Sequence, residues 1–180
     1  MQKIIFLDID GVLNTLHPGR LVSGREYGYA RFILPGLVER FNQIVDTTDA
    51  KIVISSSWRN LIHSGHMDLY GFAAMMRSHN IRGEIIGITR ENPDGEPRFR
   101  QILAWLAAHR GMAERFCVID DDPQAFGELD SEGCKLKLRL PGILTEPHLG
   151  LEPVDVAEAI KLLLGATAPT VVSEEQPLSA

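Results

Sequence analysis

The sequence predicts an α/β fold in which a parallel sheet is covered by helices on both faces. Short apolar runs of strand length alternate along the chain with amphipathic helical patterns, which is typical of such sheets. The chain has 180 residues, 44% of them hydrophobic, so it can form one domain with a core of normal size. Ligands of these folds bind beyond the carboxyl ends of the strands, so the residues there are the first candidates for function.

The first half of the chain alternates between apolar runs and helical stripes. In the first predicted helix, for example, Leu37, Phe41 and Ile44 share one face. We predict strands at 3–9, 51–54 and 84–88, and helices at 36–48 and 68–79.

The second half continues this alternation. Pro97 suits the first turn of a helix at 98–109, and Gly111 suits its end. An apolar run predicts a fourth strand at 116–119, and alternation of basic residues with leucine predicts a half-exposed edge strand at 135–140. A last helix is predicted at 154–164.

Two segments fit no element of this pattern. Residues 15–33 are long for a link between a strand and a helix, and we interpret them as a flap or small hairpin over the site. Residues 166–180 have no periodicity and predict a disordered tail. The expected organisation is therefore one domain at 1–165, with the flap as its insertion.

The overall charge and hydropathy favour an acidic cytoplasmic protein. The formal charge of −6 argues against a broad nucleic-acid-binding face, although a local basic pocket is compatible with it. There is no long apolar span, and the N-terminus begins with a strand-like run rather than a signal peptide. We therefore expect no membrane association. No helix face indicates a protein partner.

Polar clusters follow three of the predicted strands. Asp8 and Asp10 end the first strand, residues 55–59 follow the second, and residues 120–122 end the fourth. If these strands are neighbours, their carboxyl ends bring the three clusters to one edge of the sheet. Carboxylates this close repel each other, and a bound cation would relieve the repulsion.

These residue types suit phosphoryl chemistry with Mg²⁺. The ion prefers oxygen ligands and leaves room for a substrate phosphate, while serine hydroxyls and Arg59 suit phosphate oxygens. We expect Asp8 to attack phosphorus and Asp10 to move protons. Two alternatives stay open: Arg59 could be a surface residue, and residues 120–122 could form only a turn. Trp58 is interpreted as a packing residue rather than a surface on which substrate stacks.

Three motifs, in the right order, resemble those of the haloacid dehalogenase (HAD) superfamily. DIDGVLN resembles the first motif, IVISSSWR the second, and CVIDDD the fourth, and together they span residues 4 to 122. The SSSWR form also resembles a small subgroup of HAD domains, some of them associated with RNA-repair proteins. The resemblance implies a three-layer Rossmannoid parallel sheet with strand order 5-4-1-2-3 and a minimal cap, because no long insert is present.

The resemblance also implies roles for individual residues. Asp8 would be the nucleophile and a metal ligand, and Asp10 would bind Mg²⁺ through its backbone carbonyl while its side chain acts as acid and base. Ser55 would bond the phosphoryl group, with Ser56 as the alternative. Asp120 and Asp121 would hold the metal. An aspartate at position 10 favours a phosphatase over a dehalogenase.

The third motif departs from the pattern of the superfamily. The usual lysine is missing, since no lysine occurs between Lys51 and Lys135. Arg98 or Arg100 must replace it. We favour Arg98, which lies nearest the N-terminus of its helix, where the helix dipole also favours anions.

The expected function is hydrolysis of a phosphomonoester with Mg²⁺ as cofactor. The open site would admit a phosphorylated small molecule or a nucleic-acid end, so a 3′-phosphatase that processes such ends is one alternative. A phosphotransferase using the same residues is another. An inactive binding or regulatory module is the alternative of a different class.

Overall fold

The computed structural model describes residues 2–15, 33–90, 95–128 and 139–165. Within them, five parallel strands form one sheet in the order β3-β2-β1-β4-β5. This order is the predicted 5-4-1-2-3 arrangement counted from the opposite edge, so the predicted fold class is confirmed. The strands are β1 (Gln2–Leu7), β2 (Lys51–Ile54), β3 (Ile85–Ile88), β4 (Ala113–Asp120) and β5 (Gly142–Leu144).

Helices cover both faces of this sheet. They are α1 (Pro35–Thr48), the single-turn α2 (Asn60–His63), α3 (Leu69–Ser78), α4 (Arg98–Ala108) and α5 (Pro153–Leu164). Short 3₁₀ turns occur at Ser57–Arg59 and Pro123–Ala125. No helix among the described residues is both long enough and apolar enough to cross a membrane.

The central strand β1 explains why its sequence is apolar without interruption. Successive side chains of a strand point to opposite faces, so a strand covered on both sides must be apolar at every position. Ile5 and Leu7 belong to a buried cluster that includes residues of α1, α3 and α5. Ile4 and Phe6 belong to a second cluster with residues of α4. All four are at most 1% exposed.

Backbone hydrogen bonds align the ends of the three central strands. The Asp8 N–H donates to the Ile119 carbonyl, and the Ser55 N–H donates to the Leu7 carbonyl, each over 2.9 Å. The polar residues that follow β1, β2 and β4 therefore start from one edge of the sheet, as the sequence predicts.

The fifth strand differs from its prediction. Residues 139–140 precede the strand, residues 135–138 lie outside the described residues, and β5 is the three-residue run at 142–144. Gly142 permits this pairing, because a Cβ there would lie 2.2 Å from the Val118 carbonyl oxygen. Leu140 is buried instead in the cluster beneath α4. The predicted flap at 15–33, apart from its two ends, and the predicted tail at 166–180 also lie outside the described residues.

Candidate active site

Three aspartates form a compact cluster at the carboxyl edge of the sheet. Asp8 follows β1, Asp120 ends β4, and Asp121 comes next along the chain. One carboxylate oxygen from each lies within 4.8 Å of the other two. Asp8 and Asp120 are buried, while Asp121 is half-buried. The donor set consists of oxygen atoms alone, which suits a hard cation such as Mg²⁺.

Gly11 allows the loop after β1 to approach this cluster closely. Its φ of +72° lies in the left-handed region, and a Cβ there would be 2.2 Å from Asp121 Oδ2. The Gly11 carbonyl accepts a hydrogen bond from the buried Thr145 hydroxyl at 2.9 Å. The glycine in DIDGVLN is thus required by both its backbone conformation and the nearness of Asp121.

Among the described residues, Arg98 is the basic residue that pairs with the cluster. It is the first residue of α4, and its Nη1 donates to Asp8 Oδ2 and Asp120 Oδ2, at 2.5 Å each. Arg100 instead pairs with Glu128, and each of those side chains is about half exposed. Of the two arginines considered for the missing lysine, Arg98 is therefore the one placed beside the aspartates.

The cluster carries more negative charge than Arg98 can neutralise. Burial, together with the charge of Asp8, raises the pKa of Asp120 to about 8 and that of Asp121 to about 6, although Arg98 opposes both shifts. Burial by itself would lower the pKa of Arg98, but Asp8 and Asp120 outweigh it and raise that pKa. Three carboxylates facing one guanidinium leave an excess of negative charge that a divalent cation would balance.

The two serines after β2 differ in their hydrogen bonding. Ser56 Oγ accepts from the Trp58 backbone N–H at 3.3 Å and begins the 3₁₀ turn. Ser55 Oγ is fully buried and has no hydrogen-bond partner among the described residues. A buried hydroxyl without a partner is costly. A ligand oxygen would satisfy it, so Ser55 is the better phosphate-binding candidate of the two.

Arg59 is buried rather than on the surface, at 6% exposure. Its Nη1 donates to the carbonyls of Ser55 and Ser56 at 2.9 and 2.7 Å, and its Nη2 donates to Gln101 Oε1 at 2.7 Å. Burial, followed by the charge of Arg98, lowers the pKa of Arg59. These contacts join Ser55 and Ser56, which follow β2, to Gln101 of α4, the helix that begins with Arg98. Direct binding of phosphate by Arg59 stays a prediction.

Both carboxylate oxygens of Asp10 accept hydrogen bonds. Asn14 Nδ2 donates to Oδ1 at 2.7 Å, and the indole nitrogen of Trp58 donates to Oδ2 at 2.9 Å. Asn14 Oδ1 accepts in turn from the Gly11 N–H at 3.0 Å. Sequence reasoning missed Asn14, although its spacing of four residues from Asp10 was a usable signal. The sequence analysis interpreted Trp58 as a packing residue only, because no local sequence pattern links Trp58 to Asp10.

A polar cleft of about 400 Å³ opens beside Arg98. Its lining includes the polar residues Ser57, Asn60, Gln101, Asp122 and Gln124. Hydrogen-bonding side chains dominate this lining. The cleft is therefore suited to a polar ligand that extends from the aspartate cluster.

Comparison with known protein families gives a match over most of the chain. The sequence model of the family described as "HAD domain in Swiss Army Knife RNA repair proteins" matches residues 4–156. No curated protein and no solved structure shows a significant match to the chain. The matched range includes β2 to β5, all of β1 except its first two residues, and every site residue described above.

Proposed function

The chain belongs to the family of HAD domains found in Swiss Army Knife RNA repair proteins, and from this premise we propose that it is a Mg²⁺-dependent phosphomonoesterase. In this proposal Asp8 is the nucleophile, and the reaction passes through a phosphoryl group on its carboxylate. The observation that carries the proposal is the position of Asp8, which is buried against Arg98 and lies within 4.8 Å of two further carboxylates.

The residues present fit a magnesium ion. Asp8, Asp120 and Asp121 offer three carboxylate oxygens in one place, and the backbone carbonyl of Asp10 would add a fourth oxygen. Burial, and then the charge of Asp8, raises the pKa values of Asp120 and Asp121, and the ion would offset both by balancing the charge of the carboxylates. When bound, Mg²⁺ would draw negative charge from the phosphoryl oxygens and hold the phosphate facing Asp8.

In the first step Asp8 would attack phosphorus while the phosphoryl group is bound by Arg98 and Ser55. The new bond joins an Asp8 carboxylate oxygen to phosphorus, and the bond from phosphorus to the ester oxygen breaks. Protonated Asp10 donates its proton to that oxygen, so the alcohol leaves in neutral form. Arg98 has a second task before substrate binds, because it holds Asp8 and Asp120 together despite their like charge.

In the second step water would attack the phosphorus of phospho-Asp8. Asp10, now ionised, accepts a proton from the water as the new bond forms. The bond between phosphorus and the Asp8 oxygen breaks, inorganic phosphate leaves, and the Asp8 carboxylate is regenerated. Asp10 is again protonated for the next cycle.

The test is hydrolysis of p-nitrophenyl phosphate by the purified chain. We expect turnover with Mg²⁺, loss of turnover with EDTA, and recovery when Mg²⁺ is added again. Asp8→Asn should abolish turnover, whereas Asp46→Asn should not, because Asp46 is an exposed aspartate of α1 that pairs with Arg82. Turnover that survives Asp8→Asn would refute the proposal. A folded wild-type chain without turnover would favour an inactive binding module.

A nucleic-acid end is the second candidate substrate. The matched family is described by its occurrence in RNA repair proteins, and the polar cleft beside Arg98 could accept the ribose of a terminal nucleotide. A 3′-phosphorylated oligonucleotide should then be hydrolysed with a higher kcat/KM than nucleotide monophosphates or sugar phosphates. Its kcat/KM should also fall steeply with salt, because phosphate contacts release counterions. Equal values for all of these substrates would argue for a small-molecule phosphatase.

A further inference from the structure

We propose that Trp58 is a positioning residue that orients the Asp10 carboxyl group for proton transfer. This inference rests on the proposed function, in which Asp10 is the acid and base. Its starting point is the 2.9 Å hydrogen bond from Trp58 Nε1 to Asp10 Oδ2, which joins residues 48 positions apart.

The indole ring is itself held in place. Trp58 is 4% exposed and belongs to the buried cluster that includes residues of α1, α3 and α5. Its backbone N–H donates to Ser56 Oγ at the start of the 3₁₀ turn. A ring fixed by packing and by its backbone can impose a direction on a partner, which an exposed flexible donor cannot do.

The Asp10 carboxyl group receives donors on both oxygens. Asn14 Nδ2 holds Oδ1 and the indole holds Oδ2, so rotation about the bond to the carboxyl carbon would break at least one hydrogen bond. Each carboxylate oxygen has two lone pairs, and these two hydrogen bonds from described residues use one on each. The two hydrogen bonds fix the carboxyl group. Because Asp10 is only half-buried, its carboxyl group is still accessible to a leaving group.

Packing alone and positioning predict different effects of Trp58→Phe. This change keeps an aromatic ring and removes the N–H. If Trp58 only packs, activity on every substrate falls by the same factor. If it positions Asp10, the loss depends on whether the leaving group needs a proton, because p-nitrophenolate leaves readily without one and an alkoxide does not.

The first experiment compares kcat/KM for β-glycerophosphate and p-nitrophenyl phosphate. For each substrate, kcat/KM reports the steps up to cleavage of the ester bond, so it isolates the role of Asp10 as an acid from its role as a base. Trp58→Phe should lower kcat/KM for the alkyl phosphate about 10- to 100-fold, the scale of a misplaced catalytic group, and for the aryl phosphate much less. Trp105→Phe is the matched control, since Trp105 is a residue of α4 that is buried in the other cluster.

Adding Trp58→Phe to an Asp10→Asn variant should then cost nothing further on the alkyl phosphate. An equal loss on both substrates, or a full additional loss in the Asp10→Asn background, would overturn the positioning role and leave the proposed function standing. Absence of turnover by wild type on both substrates would instead refute the proposed function, and with it the catalytic role of this contact.

A second measurement tests the contact without turnover. The chain has two tryptophans, so its ¹H–¹⁵N spectrum contains two indole signals, which Trp105→Phe assigns. A hydrogen bond to a carboxylate deshields the indole proton, so Asp10→Ala should move the Trp58 signal upfield and leave that of Trp105 in place. An unmoved Trp58 signal would overturn the proposal.

Discussion

Arg98 Nη1 lies 2.5 Å from Asp8 Oδ2, although 90 residues separate the two along the chain. The contact joins the first residue of α4 to the end of β1. It places a cation beside Asp8, and we predict that Arg98 does the work of the usual third-motif lysine. The same nitrogen also contacts Asp120, so one side chain connects the ends of two neighbouring strands.

The first prediction concerns this arginine. Arg98→Gln should lower kcat on p-nitrophenyl phosphate by about 10²- to 10³-fold, the effect of removing one electrostatic donor from a reacting centre. Arg98→Lys should recover part of the activity, because lysine keeps the charge and loses the planar fork. Arg100→Gln serves as the control on the same helix and should leave kcat unchanged, since Arg100 pairs with Glu128. Equal effects of Arg98→Gln and Arg100→Gln would contradict the site.

The second prediction concerns pH. In the metal-free protein the pKa values of Asp120 and Asp121 are raised to about 8 and about 6. The folded state therefore holds more protons than the unfolded state between about pH 4 and pH 8. The resulting contribution to the free energy of unfolding is fully present below pH 4 and is lost as the pH rises to 8.

Thermal denaturation in EDTA checks this sign. The Tm of wild type should fall relative to that of Asp120→Asn as the pH increases from 5 to about 8.5, because the amide does not titrate. Mg²⁺ should raise the wild-type Tm more at pH 8 than at pH 6, since it no longer has to displace protons. A Tm difference between wild type and Asp120→Asn that does not change with pH would contradict the prediction.

The third prediction concerns Gly11. Gly11→Ala places a methyl group against Asp121 at a positive φ, so it should cost more than the ~1–2 kcal/mol of the left-handed backbone alone and should weaken Mg²⁺ binding. Gly65→Ala is the control: Gly65 has a similar φ of +74°, and a Cβ there would meet no atom within 4 Å. Urea denaturation and Mg²⁺ titration measure the two effects. If both variants lose the same stability and keep the Mg²⁺ affinity of wild type, the close approach of Gly11 to Asp121 would be refuted.

The fourth prediction separates two roles of Arg59. Because Arg59 bonds two carbonyls and Gln101 from a buried position, Arg59→Gln should destabilise the protein by ~3 kcal/mol, as expected when a buried charged donor is lost. Urea denaturation and steady-state kinetics should be measured on the same sample. A large increase in KM for p-nitrophenyl phosphate with unchanged stability would instead indicate that Arg59 binds phosphate directly.

The sequence was sufficient to predict the site residues that lie at the carboxyl ends of strands. Asp8, Ser55 and Asp120 each follow an apolar run, and parallel strands bring their carboxyl ends to one edge, so their proximity follows from the topology. The replacement for the missing lysine could be narrowed to Arg98 or Arg100, because the start of their helix can be recognised in the sequence. These arguments use local pattern and a general rule of sheet geometry.

Other features depend on tertiary contacts that no local pattern records. Trp58 and Asp10 meet because a 3₁₀ turn after β2 directs the indole toward the loop after β1. Thr145 reaches the Gly11 carbonyl from a distance of 134 residues. The described edge strand lies at 142–144 and not at residues 139–140 of the predicted strand for a related reason: alternation is the stronger local signal, but close contact with Val118 selects the small residue Gly142.

Trapping the phosphoryl group on Asp8 would identify the nucleophile directly. The protein is mixed with Mg²⁺ and p-nitrophenyl phosphate, quenched in acid during turnover, and reduced with borohydride, which converts an aspartyl-phosphate to homoserine. We predict homoserine at position 8 in the peptide map of wild type and none in a sample quenched without substrate. A wild-type protein that turns over while Asp8 stays unmodified, or a homoserine at another aspartate, would contradict the assignment of Asp8 as the nucleophile.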